Sequence, residues 1–97
     1  MVRATLLALR PSHRADKKYD ALFAVGSRQR VVSFGAAGYS DYTQHRNKRR
    51  RASYRARHAH DRLQDATSAG ALSWHLLWGE STSLRANLQR YRARFGV

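Results

Sequence analysis

The sequence has no cysteine and no isoleucine, a single proline, and only six acidic residues among 97. Without cysteine the chain has no disulfide framework, no thiolate nucleophile and no zinc site with sulfur ligands. The six carboxylates are spaced as caps and ion-pair partners, and no histidine has a recognisable serine and acid partner. We therefore predict no catalytic residue, no metal site and no cofactor, and we expect a protein that is not an enzyme.

Long apolar runs are also missing. No stretch approaches the roughly 20 residues that a membrane-spanning helix needs, so the sequence predicts no membrane span. The short apolar stretch near the start is interrupted by Arg10, Pro11 and His13, which is a poor pattern for a secretory signal. We expect an intracellular protein.

Positive charge is what the chain has in excess. It carries 19 Lys and Arg against 6 Asp and Glu, a formal net charge of +13, and 16 of the cationic residues are arginine. A chain of this length allows one small domain with a modest core. Repulsion among so many cations opposes folding at low salt, so the composition points to an anionic partner.

The N-terminal half predicts an arm and then a β-hairpin. Residues 1–16 are basic and broken by Pro11, which predicts a flexible N-terminal arm. Apolar residues alternate over 18–25 and again over 30–34, with a turn at Gly26 and Ser27 between them. A two-stranded ribbon is barely stable alone, so we expect it to rest on the helices that follow.

About three helices are predicted after the hairpin. A short turn capped by Ser40 or Asp41 ends near His45, and a longer helix capped by Asn47 runs to about His60. Ser68 caps an apolar helix that stops at Gly79. Ser81 or Thr82 caps a last helix with the stripe Leu84, Leu88, Tyr91 and Phe95. The sequence thus predicts an α+β domain over residues 17–97, with its core drawn from Tyr19 or Phe23, Val32, Phe34, Leu72, Leu76, Trp78, Leu84, Leu88 and Tyr91.

The densest cationic segment, residues 46–62, predicts the binding surface. Arginine forms forked hydrogen bonds with phosphate oxygens and stays protonated, so phosphates are the usual counterpart of such density. A merely solvated charged face is the alternative. The predicted nucleic-acid-binding residues are Arg46, Lys48, Arg49, Arg50, Arg51, Arg55, Arg57 and Arg62, with Arg85 and Arg92 on the last helix.

Aromatic residues interleave with this segment and admit two interpretations each. Tyr39, Tyr42 and Tyr54 suit stacking on unpaired bases, although packing against the hairpin is the more ordinary role. Trp74 and Trp78 lie four residues apart and suit the core, or alternatively an anchor for a partner protein, since Trp is frequent in interface hot spots.

Several runs of the chain resemble a small basic protein family. They are residues 17–23, 33–43, 54–58, 68–73, 77–79 and 91–96, of which FGAAGYSDYT (34–43) and LWG (77–79) are the most particular. The family that they resemble occurs in nucleocytoplasmic large DNA viruses, the giant viruses, and in some algae, and has no assigned activity. The resemblance implies a protein of the virion, or of the viral factory in the host cytoplasm, and supplies no catalytic residues.

Together these features predict a non-enzymatic, basic nucleic-acid-binding protein with little sequence preference, because phosphate contacts carry no base information. DNA and RNA both remain open as ligands. The alternative is a minor structural or adaptor protein, with acidic protein neighbours in a viral capsid or in a large ribonucleoprotein such as a ribosome.

Overall fold

A three-stranded antiparallel sheet is followed by four short helices in the computed structural model, which describes residues 3–97. The strands, in the order β1-β2-β3 across the sheet, are β1 (Ala4–Pro11), β2 (Lys17–Val25) and β3 (Arg28–Ala36). The helices are α1 (Tyr42–His45), α2 (Lys48–Arg57), α3 (Ala69–Leu72), which continues as the π-helical segment Ser73–Leu77, and α4 (Leu84–Phe95). The predicted α+β class is confirmed.

The predicted hairpin is present as β2 and β3. Gly26 adopts a φ of 63° in the turn, a left-handed conformation that glycine tolerates best. Ala21 pairs with Val32 and Tyr19 with Phe34, so the alternating apolar residues share one face of the sheet. That face is buried, as the weak stability of an isolated ribbon requires.

The predicted N-terminal arm is not what the structure shows. Residues 4–11 form β1, which pairs with β2 along its length, while Met1 and Val2 lie outside the described residues. The register shifts between Leu6 and Ala8, a β-bulge that breaks the two-residue alternation. Leu6 is fully buried and Leu9 packs at the edge of the core. Because the two leucines are three residues apart, they do not show the two-residue alternation that predicts a strand.

The core lies between the sheet and the C-terminal helices. Phe23 and Phe34 meet Leu72, Leu76 and Tyr91 there. Trp78, Leu84 and Leu88, predicted for the core, are only partly buried and pack against its margin.

Asn87 is a buried polar residue that the sequence analysis did not predict. Asn87 donates from Nδ2 to the carbonyl oxygens of Leu76 (2.9 Å) and Ser81 (2.8 Å), so it joins α4 to the end of the preceding helix. Its Oδ1 accepts the Ser81 N–H at 3.1 Å, which leaves the buried amide satisfied.

Helix boundaries follow the predicted caps with small shifts. Asn47 and Ser68 cap α2 and α3 as predicted, whereas Ser83 caps α4 in place of Ser81 or Thr82. Helix α2 ends at Arg57, before the predicted His60, because the chain turns where Asp61 binds His58. Within residues 3–97 no helix has the length and apolar character to cross a membrane.

Candidate nucleic-acid interface

Helix α2 is joined to the domain without any buried residue. It begins where the Asn47 side-chain oxygen accepts the Arg50 N–H at 3.1 Å. We call Arg51, Tyr54 and Arg55 the inner face, because they contact the rest of the fold. The outer cations are the exposed cationic side chains of this helix: Lys48, Arg49, Arg50 and Arg57.

Arginines of the inner face hydrogen bond to main-chain carbonyls. Arg51 Nε donates to the Gly79 carbonyl at 2.7 Å, and Arg55 Nε donates to the Trp78 carbonyl at 3.0 Å. These carbonyls follow the C-terminal end of the π-helical segment, where carbonyl groups lack helical partners and the helix dipole is negative. Burial and the neighbouring Arg51 lower the pKa of Arg55. Two of the predicted phosphate ligands therefore attach α2 to the fold.

Tyr54 is enclosed by other rings. Its ring centroid lies 4.3 Å from that of Trp78 and 4.2 Å from that of His58, both in stacked geometry. Its hydroxyl donates to Ser73 Oγ at 3.0 Å, and burial raises the pKa of this phenol. Two stacked neighbours occupy the two faces of one ring, so a base has no free face of Tyr54 on which to stack.

The other two tyrosines differ sharply in exposure. Tyr42 is 5% exposed, and the Arg51 guanidinium lies 5.5 Å from its ring centroid. Tyr39 is 74% exposed. Tyr42 and Tyr54 therefore pack within the fold, the role that the sequence made the more ordinary one, while the ring of Tyr39 is exposed.

Both tryptophans are used within the fold. The Arg55 guanidinium covers the Trp74 ring at 4.7 Å, a cation–π contact. Trp78 contacts Tyr54 on one side and the His45 ring at 5.3 Å. Since both rings are half-buried among these partners, the packing interpretation is favoured over the predicted partner anchor.

The outer cations are free of internal carboxylates. Within residues 3–97 the carboxylates have other partners: Asp16 pairs with Arg14, Asp41 with Lys18 and Glu80 with Arg90, Asp20 and Asp61 contact His13 and His58, and Asp65 accepts hydrogen bonds from Thr67. Arg46 and Arg62, on either side of α2, are exposed as well. This leaves the four outer cations without an ion-pair partner in the described part of the fold, whereas Asp65 lies near Arg62 and offsets part of its charge.

The last helix contributes differently from what the sequence predicted. Arg85 is exposed, but Arg92 Nη1 donates to the Leu6 carbonyl at 2.7 Å and fastens β1 to α4. Arg90 and Arg94, which sequence reasoning missed, line a groove of about 280 Å³ together with Arg55. Their spacing of four residues was the available signal, since it places both on one side of a helix.

The fold and this surface define a small, basic α+β domain with an arginine-rich helix. The chain matches the model of a Family of unknown function (DUF5754) over residues 7–58, more than half of its length, and it belongs to that family. The matched segment begins within β1, includes β2, β3, α1 and α2, and ends before the carbonyls that anchor α2. No curated protein and no solved structure matches the chain.

Proposed function

We propose that this protein is a non-enzymatic nucleic-acid-binding protein that contacts the phosphate backbone through the outer cations of α2. The observation that carries the proposal is that these four cations are exposed and that none of them forms an ion pair with a carboxylate of residues 3–97. Each cation placed on a phosphate releases condensed counterions, so affinity depends steeply on salt.

The contact set is smaller than the sequence alone suggested. Arg51, Arg55 and Arg92 donate to main-chain carbonyls and are committed to the fold. Phosphate contacts fall to Lys48, Arg49, Arg50 and Arg57, flanked by Arg46 and Arg62, with Arg85 as an outlying contact. Because contacts to phosphates carry no base information, we expect little sequence preference.

We extend the proposal to location on the resemblance of the sequence runs to a giant-virus and algal family: the protein acts in a virion or a viral factory. An adaptor within a capsid or a ribonucleoprotein is the alternative. It is less favoured, because its predicted anchors, Trp74 and Trp78, are covered by Arg55 and Tyr54.

The proposal is tested by measuring dissociation constants for duplex DNA, single-stranded DNA and RNA of equal length over a series of salt concentrations. We expect binding to each, with log affinity falling linearly against log salt. The variant Arg49→Ala/Arg57→Ala should reduce the slope for duplex DNA by about 2, because each lost phosphate contact accounts for about 0.9.

The matched control is Arg28→Ala/Arg30→Ala, which removes the same charge from exposed positions at the far end of the sheet. At about 3.3 Å per residue, strand β3 holds Arg28 roughly 26 Å from Ala36, near which α2 lies. The control should retain more of the slope than the α2 variant. Equal effects of the two variants, or a salt-independent affinity, would contradict the proposal.

A further inference from the structure

A cavity of about 410 Å³ opens beside α2, between this helix, the end of β3, the loop that leads to α1, and the π-helical segment. Its volume lies within the roughly 300–1,000 Å³ of small-molecule sites. Three of the outer cations, Arg49, Arg50 and Arg57, line this cavity, so it shares residues with the proposed phosphate-binding surface. That surface requires only that the cations be exposed, whereas the cavity adds an enclosed volume beside them.

Cationic groups stand at both ends of the cavity. Arg49 and Arg50 line it near the start of α2 and Arg57 lines it near the end, about 10 Å further along the axis at 1.5 Å per residue. Lys18 also lines the cavity, and its Nζ is held by Asp41 at 2.6 Å. Asp41 is the only carboxylate among the lining residues, so the three guanidinium groups make the cavity strongly positive.

The walls between the cations are aromatic and hydroxylated. The exposed ring of Tyr39 lines the cavity, as does the edge of the stack built from His58, Tyr54 and Trp78. Ser40 Oγ lies 3.4 Å from Arg50 Nη1, and Ser53 contributes a second hydroxyl. A ring that offers a free face, placed among guanidinium and hydroxyl donors, suits a planar base with its sugar and phosphate.

We propose that this cavity binds one unpaired nucleotide, with its base against Tyr39 and a phosphate at each cationic end. The inference rests on the proposed function and deepens it, since it gives single strands a contact that a duplex cannot make. A nucleotide within a strand carries a phosphate on either side of its sugar, which matches cations at both ends of the cavity. A free nucleoside phosphate offers the same chemistry with fewer contacts.

The experiment titrates the full chain carrying Trp74→Phe, so that Trp78, which lines the cavity, is the only tryptophan. The probes are adenosine 3′,5′-bisphosphate, adenosine 5′-monophosphate, adenosine and inorganic phosphate at matched ionic strength. We expect the bisphosphate to bind tightest and to change the Trp78 emission, with the monophosphate weaker. Calorimetric binding without an emission change would place the nucleotide elsewhere and overturn the inference.

Two glutamate variants separate the cavity from general electrostatics. Ser53→Glu places a negative charge in the cavity, whereas Ala52→Glu places the same charge on an exposed position of α2 outside it. We expect Ser53→Glu to weaken bisphosphate binding about tenfold, the range of a lost charged contact, and Ala52→Glu to weaken it about twofold. Equal losses, or inorganic phosphate binding as tightly as the bisphosphate, would overturn the inference.

Tyr39→Ala tests the contact with the base. Because the Tyr39 side chain is exposed, we expect the variant to fold as the original chain does. Loss of base stacking should weaken the affinity for the bisphosphate by about fivefold or more. Tyr39→Phe keeps an aromatic ring and should retain the original affinity. An unchanged affinity in Tyr39→Ala contradicts the assigned position of the base.

Failure of this inference is distinguishable from failure of the proposed function. Salt-dependent binding of duplex DNA with no nucleotide binding would overturn the cavity and leave the phosphate-binding surface. Nucleotide binding with no affinity for any nucleic acid would overturn the proposed function. It would also show that the bound nucleotide is not part of a nucleic-acid strand. Duplex affinity should fall in both Ser53→Glu and Ala52→Glu, because each variant adds a negative charge beside the outer cations.

Discussion

The two faces of helix α2 use the same residue type for opposite purposes. On the inner face, Arg51 and Arg55 donate to carbonyls within 3.0 Å. On the outer side, Arg49 and Arg57 are exposed and pair with no carboxylate of residues 3–97. The comparison teaches that a dense run of arginine is not one functional unit, because the partners of each guanidinium decide its role.

Arginine can hold a helix that lacks an apolar stripe. Its long methylene stem covers apolar surface while its head stays polar, and here the heads meet unpartnered carbonyls after another helix. Phosphate is not needed to satisfy those two groups. Removing an inner-face side chain should therefore lower the free energy of unfolding. Removing an outer cation should instead lower the affinity for nucleic acid.

The largest effect is expected from Gly79→Ala, which disturbs the carbonyls that receive the inner face. A methyl group at Gly79 would lie 2.2 Å from the His75 carbonyl oxygen and 3.0 Å from Asn87, so the backbone must move. We expect a loss of about 3 kcal/mol in the free energy of unfolding, at the upper end for overpacking. Urea unfolding followed by circular dichroism measures it.

Gly38→Ala is the comparison for that experiment. No atom lies within 4 Å of the added methyl group there, and only the left-handed φ of 88° opposes it. The cost should be about 1 kcal/mol, the penalty of that backbone conformation. Equal losses in the two variants would show that the carbonyls beside Arg51 and Arg55 tolerate displacement.

The next largest effect separates Arg55→Ala from Arg57→Ala, the same change two residues apart. Arg55→Ala removes a charged hydrogen bond to Trp78 and a cover for Trp74, which should cost about 1.5–3 kcal/mol of stability. Arg57→Ala should change stability by less than about 0.5 kcal/mol, since Arg57 is exposed and forms no ion pair with a carboxylate of residues 3–97. Thermal and urea unfolding of both variants provide the measurement.

Binding should reverse that order. At a temperature where both variants are folded, Arg57→Ala should reduce the salt slope of duplex binding by about 0.9, and Arg55→Ala should reduce it less. Arg55→Lys keeps the charge without the forked geometry, so it should recover only part of the stability. If the two alanine variants behaved alike in both measurements, the division of α2 into two faces would be wrong.

Local signals predicted much of this fold. The alternation in β2 and β3 and the caps at Asn47 and Ser68 act within a few residues, so the sequence reveals them directly. Strand β1 was not predicted, because the bulge after Leu6 removes the two-residue alternation of apolar side chains. The burial of Asn87 was not predicted either, because its hydrogen-bond partners are main-chain carbonyls, which leave no pattern in the sequence.

The division of the arginines could not be predicted, for a related reason. Arg51 and Arg55 bind carbonyls more than twenty residues later in the chain, and only the tertiary fold brings the groups together. The basic neighbours of Tyr54 in sequence suggest base stacking as one of its two roles, but its neighbours in space are Trp78 and His58. The exposed cations, by contrast, needed only their charge to be recognised.

The smallest expected effect is a dependence of the free energy of unfolding on pH. Nucleic-acid binding by the outer cations should not show the same dependence. Burial lowers the pKa of His45 and of His75 from the ordinary 6.5, so the unfolded chain binds protons that the folded chain resists. Stability should therefore be full above about pH 6.5 and should fall as the pH drops below it.

His45 is the sensitive position for α2, because its Nδ1 accepts the Asn47 N–H at 2.9 Å and its ring contacts Trp78. Protonation at Nδ1 would break that bond beside the cap of the helix and place a third cation near Arg50 and Lys18, which Asp41 only partly offsets. Urea unfolding between about pH 7.5 and 5.5 should show the decline, reduced in His45→Gln and unchanged in His60→Gln, an exposed control. The salt slope of nucleic-acid binding should stay constant over the same range, because arginine and lysine keep their charge there. The division of α2 into two faces would be contradicted if the free energy of unfolding did not depend on pH. It would also be contradicted if the salt slope of nucleic-acid binding changed with pH in parallel with the free energy of unfolding.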